Sequence, residues 1–216
     1  AHPERSLDGA LAAGIPGVPA ALDYLARHYG NLPLAVSLAP AIHYAQAGFA
    51  ADAQYLKMVG WRLPALQGDA AAAAQFLNAD AAPALGQRVR QPALAATLRA
   101  LAERGRDGFY AGPVAAELVR AVRAGGGIWT AADLAAYRVV ERAPQVFTFA
   151  DATITTASLP SSGGLTLAQA FNVLAALPPP RSKVERTHFV VEALRRAYQD
   201  RARYLGDADF VAPPPE

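Results

Sequence analysis

The chain predicts a helix-rich α+β protein, and three observations carry that prediction. Apolar residues recur at helical spacing over most of its 216 residues. One stretch near residue 150 switches to Val, Phe, Thr and Ile in two short runs with a break between them, the pattern of a β-hairpin. Hydrophobic residues make up 53% and charged ones 18%, which is enough apolar surface for a packed core and too much for a disordered chain. The expected organisation is one domain over 1–216, helical over 1–143, a hairpin at 144–158 and helical again over 165–205.

Each element has a local reason. Gly14-Ile15-Pro16-Gly17 is turn chemistry, and a helix through Leu22 and Leu25 follows it. The stretch from Tyr29 to Ala51 carries no formal charge and is long enough to span a bilayer. Asn31, Pro33, Pro40, His43 and Gln46 break or wet it, so it predicts a loop and a buried helix. The alanine run Ala70 to Ala74 is a good helix former and suggests no function. Pro92 fits the first residue of a helix, with Leu94, Leu98 and Leu101 on one stripe and Gly105 as the stop. Val114, Leu118 and Val122 form a second stripe, closed by Gly125-Gly126-Gly127. Thr130 to Asp133 resembles a capping box with Asp in place of Glu. Strands are expected at Gln145 to Phe149 and Thr153 to Ala157, then helices from about Leu165 to Leu177 and from near Val184 to Tyr204.

Bulk charge narrows the partners. A formal charge of +2 is too small for nucleic-acid binding, and Arg195, Arg196, Arg201 and Arg203 are interleaved with Glu192, Asp200 and Asp207. That interleaving predicts a solvated or salt-bridged helix face. With no cysteine, disulfides and thiolate metal sites are excluded and the compartment is left open. His2, Glu4, Arg5 and Asp8 leave no apolar h-region at the start of the sequence.

The run Leu159-Pro160-Ser161-Ser162-Gly163-Gly164, between a strand and a helix, is the strongest candidate for chemistry. A strained nucleophile elbow needs Gly-x-Ser-x-Gly, and neither serine has a glycine two residues before it. A serine also needs a base within hydrogen-bond reach, and nothing places His2, His28, His43 or His188 there. The scaffold reading is a tight turn whose hydroxyls cap the next helix and whose glycines let backbones approach closely. The histidines lack metal spacing, and Gly206-Asp207-Ala208-Asp209 lacks the calcium-loop pattern and reads as a helix-ending turn. Gly125 to Gly127 end a helix, so they are no dinucleotide loop. No cofactor or metal is implied.

A set of ordered motifs resembles the large subunit of the γ-glutamyltransferase (γ-glutamyltranspeptidase) family over nearly all of the chain. They are Gly14-Ile-Pro-Gly-Val-Pro-Ala-Ala-Leu22, Tyr29-Gly30 with Leu38-Ala-Pro-Ala-Ile42 and Ala47-Gly48-Phe49, and Gly108-Phe-Tyr-Ala-Gly112. Gly126-Gly127-Ile128, Asp133-Leu-Ala-Ala-Tyr137 and Val140-Glu-Arg142 continue the series. Pro160-Ser-Ser-Gly-Gly164, Ala197-Tyr-Gln-Asp-Arg201 and Tyr204-Leu-Gly-Asp-Ala-Asp-Phe-Val211 complete it. The Pro-Ser-Ser-Gly-Gly loop and the Asp-Arg…Tyr-Leu-Gly-Asp segment are specific together. Leu159 departs from the family, which usually has another proline there.

The resemblance implies the helix-rich part of an N-terminal-nucleophile hydrolase αββα sandwich, made as a self-cleaving precursor. It implies a threonine nucleophile at the start of a partner small subunit, acting on a small-molecule γ-glutamyl substrate such as glutathione. The acyl-enzyme would then pass its γ-glutamyl group to water, an amino acid or a peptide. The family's Thr-Thr-His does not occur here, since Thr155-Thr156 is followed by Ala157 inside a predicted strand. Its substrate-carboxylate arginine belongs to a segment ahead of the Gly-x-Pro-Gly region. No catalytic or substrate-binding residue is therefore assigned, and Ser161, Ser162, Gly163 and Gly164 are expected to be a scaffold loop near the site. The expectation is an internal piece of the large subunit, inactive and prone to self-association on its own, and periplasmic or extracytoplasmic by resemblance. Cephalosporin or glutaryl acylases of the same superfamily and a non-catalytic helical interaction module are the alternatives.

Overall fold

The computed structural model describes residues 7–211. It consists of two compact units, one ending at Val139 and one beginning at Val140.

In the first unit the helix starts are set by prolines and side-chain caps. Pro19 lies in the opening turn of α1 (Val18–His28), and α2 (Leu34–Ala47) follows Pro33. Asp52 accepts from the Tyr55 N–H at 2.7 Å to start α3 (Ala53–Gln67). Asp69 does the same with Ala72 at 2.8 Å for α4 (Ala70–Phe76). Between these elements, β1 (Phe49–Ala50) pairs antiparallel with β2 (Arg88–Val89). Pro92 opens α5 (Pro92–Arg104), and Gly105, at φ 57°, closes it. A short α6 (Asp107–Tyr110) leads into α7 (Gly112–Ala124), which ends at Gly125. The capping box is present in full ahead of α8 (Ala131–Ala136): Asp133 N–H donates to Thr130 Oγ1 at 3.2 Å and Thr130 N–H to the Asp133 carboxylate at 2.8 Å.

These elements close around Phe109, Tyr110, Trp129 and Leu134, with Ala20 and Ala115 beside them and Val114, Leu118 and Val122 packed from α7. Tyr110 is 1% exposed. Its hydroxyl donates to the Pro16 carbonyl and accepts from the Ala20 N–H at 3.3 Å, which ties the Gly-Ile-Pro-Gly turn to α6. Burial pushes this phenol above its ordinary pKa, an effect the Ala20 hydrogen bond opposes. Its ring stacks on Tyr137 with centroids 5.5 Å apart, and Trp129 Nε1 donates to the Ala13 carbonyl at 3.0 Å. A side chain at Gly108 would place its Cβ 1.9 Å from the Ala100 carbonyl oxygen, so the α5 and α6 backbones touch directly.

The helix through Leu22 and Leu25 is α1, which leaves Leu25 52% exposed and buries Ala20 and Asp23, because Tyr110 holds the Ala20 side. Several expectations need correction in this unit. The predicted buried helix is α2, yet it buries only Leu38 and Ala45, since it meets its neighbours along a single face, α5 among them. On α5 the buried stripe is Ala95 and Leu101, and Leu94 is exposed. The span 1–143 also contains the β1–β2 pair, too short for its residue pattern to announce a strand.

The second unit starts with the hairpin of β3 (Gln145–Phe149) and β4 (Ala152–Thr156). Phe149 pairs with Ala152, so β4 begins one residue earlier than expected. Ala150, at φ 51°, forms the turn with Asp151 alone. Phe147 and Phe149 share one face of the hairpin and meet Phe171 of α9 (Gly163–Ala175), the nearer pair of centroids being 4.4 Å apart. The last helix, α10 (Lys183–Tyr204), starts at Ser182, whose hydroxyl accepts from the Glu185 N–H at 3.1 Å. It packs on α9 through Ala170, Ala193 and Ala197, and Gln169 of α9 donates to the Asp200 carboxylate. Among the described residues, no helix is long and apolar enough to cross a membrane.

Candidate functional site

Leu159 to Ser162 lie between β4 and α9, as the sequence pattern predicts, while Gly163 and Gly164 already form the start of α9, two residues ahead of the expected Leu165. The Leu159–Pro160 peptide is cis. Ser161 N–H donates to the Ser158 carbonyl at 3.0 Å, and the Ser162 carbonyl accepts both the Thr166 N–H at 3.0 Å and the Thr166 hydroxyl at 2.8 Å. A Cβ at Gly164 would lie 2.5 Å from Thr156 Cγ2 and 2.7 Å from the Ala157 carbonyl oxygen. The close-approach part of the scaffold reading therefore holds at Gly164. Gly163 has far more room, its nearest neighbour being Ser161 Oγ at 3.9 Å.

The capping part does not hold. Ser162 occupies the N-cap position of α9 with helical backbone angles, φ −74° and ψ −12°, and its side chain caps nothing. A capping serine needs extended backbone to aim its oxygen at the free N–H groups. Ser162 Oγ instead accepts a hydrogen bond from Arg201 Nε at 2.8 Å, across from α10. Local spacing gave no hint of this partner, because 39 positions separate the two residues. On α10 the expected salt-bridged surface is seen where Arg195 pairs with Glu192 at 2.7 Å. Arg201 itself departs from that pattern.

An open cleft of about 550 Å³ adjoins the loop, lined by Arg142, Thr155, Ser158, Pro160 and Ser161 among others. The Arg142 guanidinium donates to Asp209 at 2.8 Å, and that carboxylate holds it above its usual pKa, so it stays charged. Asp209 is in turn placed by its own N–H, which donates to the Asp207 carboxylate at 3.0 Å. Asp207 to Phe210 thus form the turn expected after α10.

The histidines are placed elsewhere. His28 stacks on Tyr24 with centroids 4.2 Å apart, His43 meets Tyr44 edge-on, and His188 is tilted against Phe189. His2 lies outside the described residues. Among the described residues no three His, Asp or Glu side chains are grouped to hold a metal. The loop and its cleft thus form a hydroxyl-lined wall that is joined to α10 through Arg201.

The family model for gamma-glutamyltranspeptidase matches residues 1–215. This chain belongs to the gamma-glutamyltranspeptidase family. Within that family it is 37% identical to a glutathione hydrolase proenzyme from Pseudomonas sp. (strain A14), over 97% of this chain and 37% of that protein. Its structure is similar to the solved gamma-glutamyltranspeptidase of Helicobacter pylori, with a TM-score of 0.92 and 34% identity over 98% of this chain and 62% of that one. A cephalosporin acylase from Bacillus halodurans is also similar, at a TM-score of 0.81 and 29% identity over 92% of this chain and 39% of that one. The chain spans well under half the length of the curated relative it matches. The helix-rich α+β architecture is that of part of a gamma-glutamyltranspeptidase.

Proposed function

We propose that this chain is the scaffold portion of an enzyme that cleaves the γ-glutamyl amide of glutathione and passes the γ-glutamyl group to water, an amino acid or a peptide. One observation carries this reading: likeness to a solved gamma-glutamyltranspeptidase runs through 98% of the chain at 34% identity. The nucleophile is a threonine on a partner small subunit, with its own α-amino group as base. Its hydroxyl oxygen bonds to the γ-carbonyl carbon, the amide C–N bond breaks, and the proton passes to the departing amine. The Pro160–Gly164 loop and its cleft form part of the wall beside that reaction. The chain alone is inactive and self-associates through its exposed apolar side chains, among them Val184, 79% exposed, and Tyr198, 57% exposed. An extracytoplasmic location follows from the family resemblance alone, and cell fractionation tests it.

The test compares this chain with the precursor encoded by its uninterrupted gene, on a chromogenic γ-glutamyl anilide. The precursor product turns over and the isolated chain does not. Turnover by the isolated chain, lost in Ser161→Ala or Ser162→Ala, overturns the scaffold reading. The likeness to a cephalosporin acylase supports a second reading, in which the acyl group is a glutaryl or related side chain. Hydrolysis of a glutaryl amide in preference to the γ-glutamyl anilide by the precursor product would establish it.

A further inference from the structure

We propose that Arg201 is a positioning residue: through Ser162 it fixes the Pro160–Gly164 loop and so sets where Ser161 meets the cleft. The consequence for catalysis rests on the reading above that this cleft borders the acyl-transfer site. The hydrogen bonds and close contacts that hold the loop from nearby in sequence reach only its immediate neighbours: Ser158, Thr156 with Ala157, and Thr166. They shape the turn without tying it to the far helix. The Arg201 Nε to Ser162 Oγ bond at 2.8 Å supplies that tie.

The α10 end of the tie is itself held. The Arg201 guanidinium lies 5.8 Å from the ring centroid of Tyr198, one turn earlier on α10. Next to Arg201, Asp200 receives the Gln169 amide of α9, and Ala193 and Ala197 have no exposed surface. The two adjacent serines therefore have separate tasks. Ser162 spends its hydroxyl on the anchor and Ser161 lines the cleft. A loop that pivots when the anchor is cut moves Ser161 and Pro160 together, and displacements of this kind cost rate more than affinity.

The test uses Arg201→Ala, Ser162→Ala, their double variant and Arg201→Lys in the full-length precursor. Each single alanine variant lowers kcat roughly tenfold with KM nearly unchanged, and the double is no worse than either single, because the two residues act as one unit. Arg201→Lys restores part of the loss by keeping a charged donor. Equal Tm values across the set separate this from loss of folding. A second arm needs no activity: this chain has no cysteine, so the labelling rate gained on Ser161→Cys over the unsubstituted precursor as background reports loop position. That rate changes several-fold when Arg201→Ala is added. Equal labelling rates overturn the tether. A responsive thiol with unchanged kcat, or single losses that multiply in the double, overturns the positioning role. A wild-type precursor inert on γ-glutamyl anilide overturns the enzymatic reading only, and the labelling rates then decide the tether.

Discussion

The unit ending at Val139 and the unit beginning at Val140 each have a core of their own, built from different kinds of side chain. The first closes on Phe109, Tyr110, Trp129 and Leu134, large residues that fix one another and bond their polar tips to backbone. The second joins its two helices through Ala170, Ala193 and Ala197. Alanines contribute little buried area and instead let the helices come close. The core of the first unit therefore rests on the bulk it buries, and the α9–α10 contact of the second on the closeness of its helices. Large apolar residues of α10 such as Val184 and Tyr198 remain outside that contact.

Four experiments break or sharpen this contrast. The largest effect is expected from Tyr110→Ala, which removes a fully buried ring and costs about 3–5 kcal/mol in urea unfolding. In the second unit the sensitive change is the reverse one. Ala193→Leu adds bulk where α9 and α10 touch and costs about 1–3 kcal/mol. A neutral Ala193→Leu would remove the distinction between the units. Next comes a comparison of two serines at helix starts. Ser182→Ala loses a true cap and costs about 1 kcal/mol, whereas Ser162→Ala costs clearly less, because Ser162 caps nothing.

The smallest effect is a pH dependence in the first unit. The Thr130 hydroxyl and backbone N–H hold the Asp133 carboxyl below its usual pKa. Its stabilisation is complete above the ordinary carboxylate value and is lost as pH falls through the lowered one. The Tm gap between wild type and Asp133→Ala is therefore widest near neutral pH and closes in acid. A gap that stays constant in acid would rule the carboxylate out as the source.

Legibility in the sequence followed the distance over which each feature is decided. The capping box, the Pro92 and Gly105 bounds of α5 and the strand at Gln145–Phe149 are settled within a few residues, and their residue types announced them. The buried side of α1 is decided at long range, because Tyr110, 90 positions away, selects Ala20 over Leu22 and Leu25. The site divides in the same way. Gly164 was readable as a close approach from its place in a strand-to-helix turn. The Ser162 hydroxyl was assigned a cap because serines before helices usually provide one, and its real partner on α10 leaves no trace in local spacing.

One contact in the first unit bears on how it opens. At Gly108 the α6 backbone rests on the Ala100 carbonyl with no room for even a methyl group between them. The helices on either side of that point cannot separate a little at a time, since the first movement apart already exposes Leu101 and Tyr110 to water. Deuterium from solvent should therefore reach the amides near Leu101 and Tyr110 in one concerted event, at the rate at which the whole unit opens.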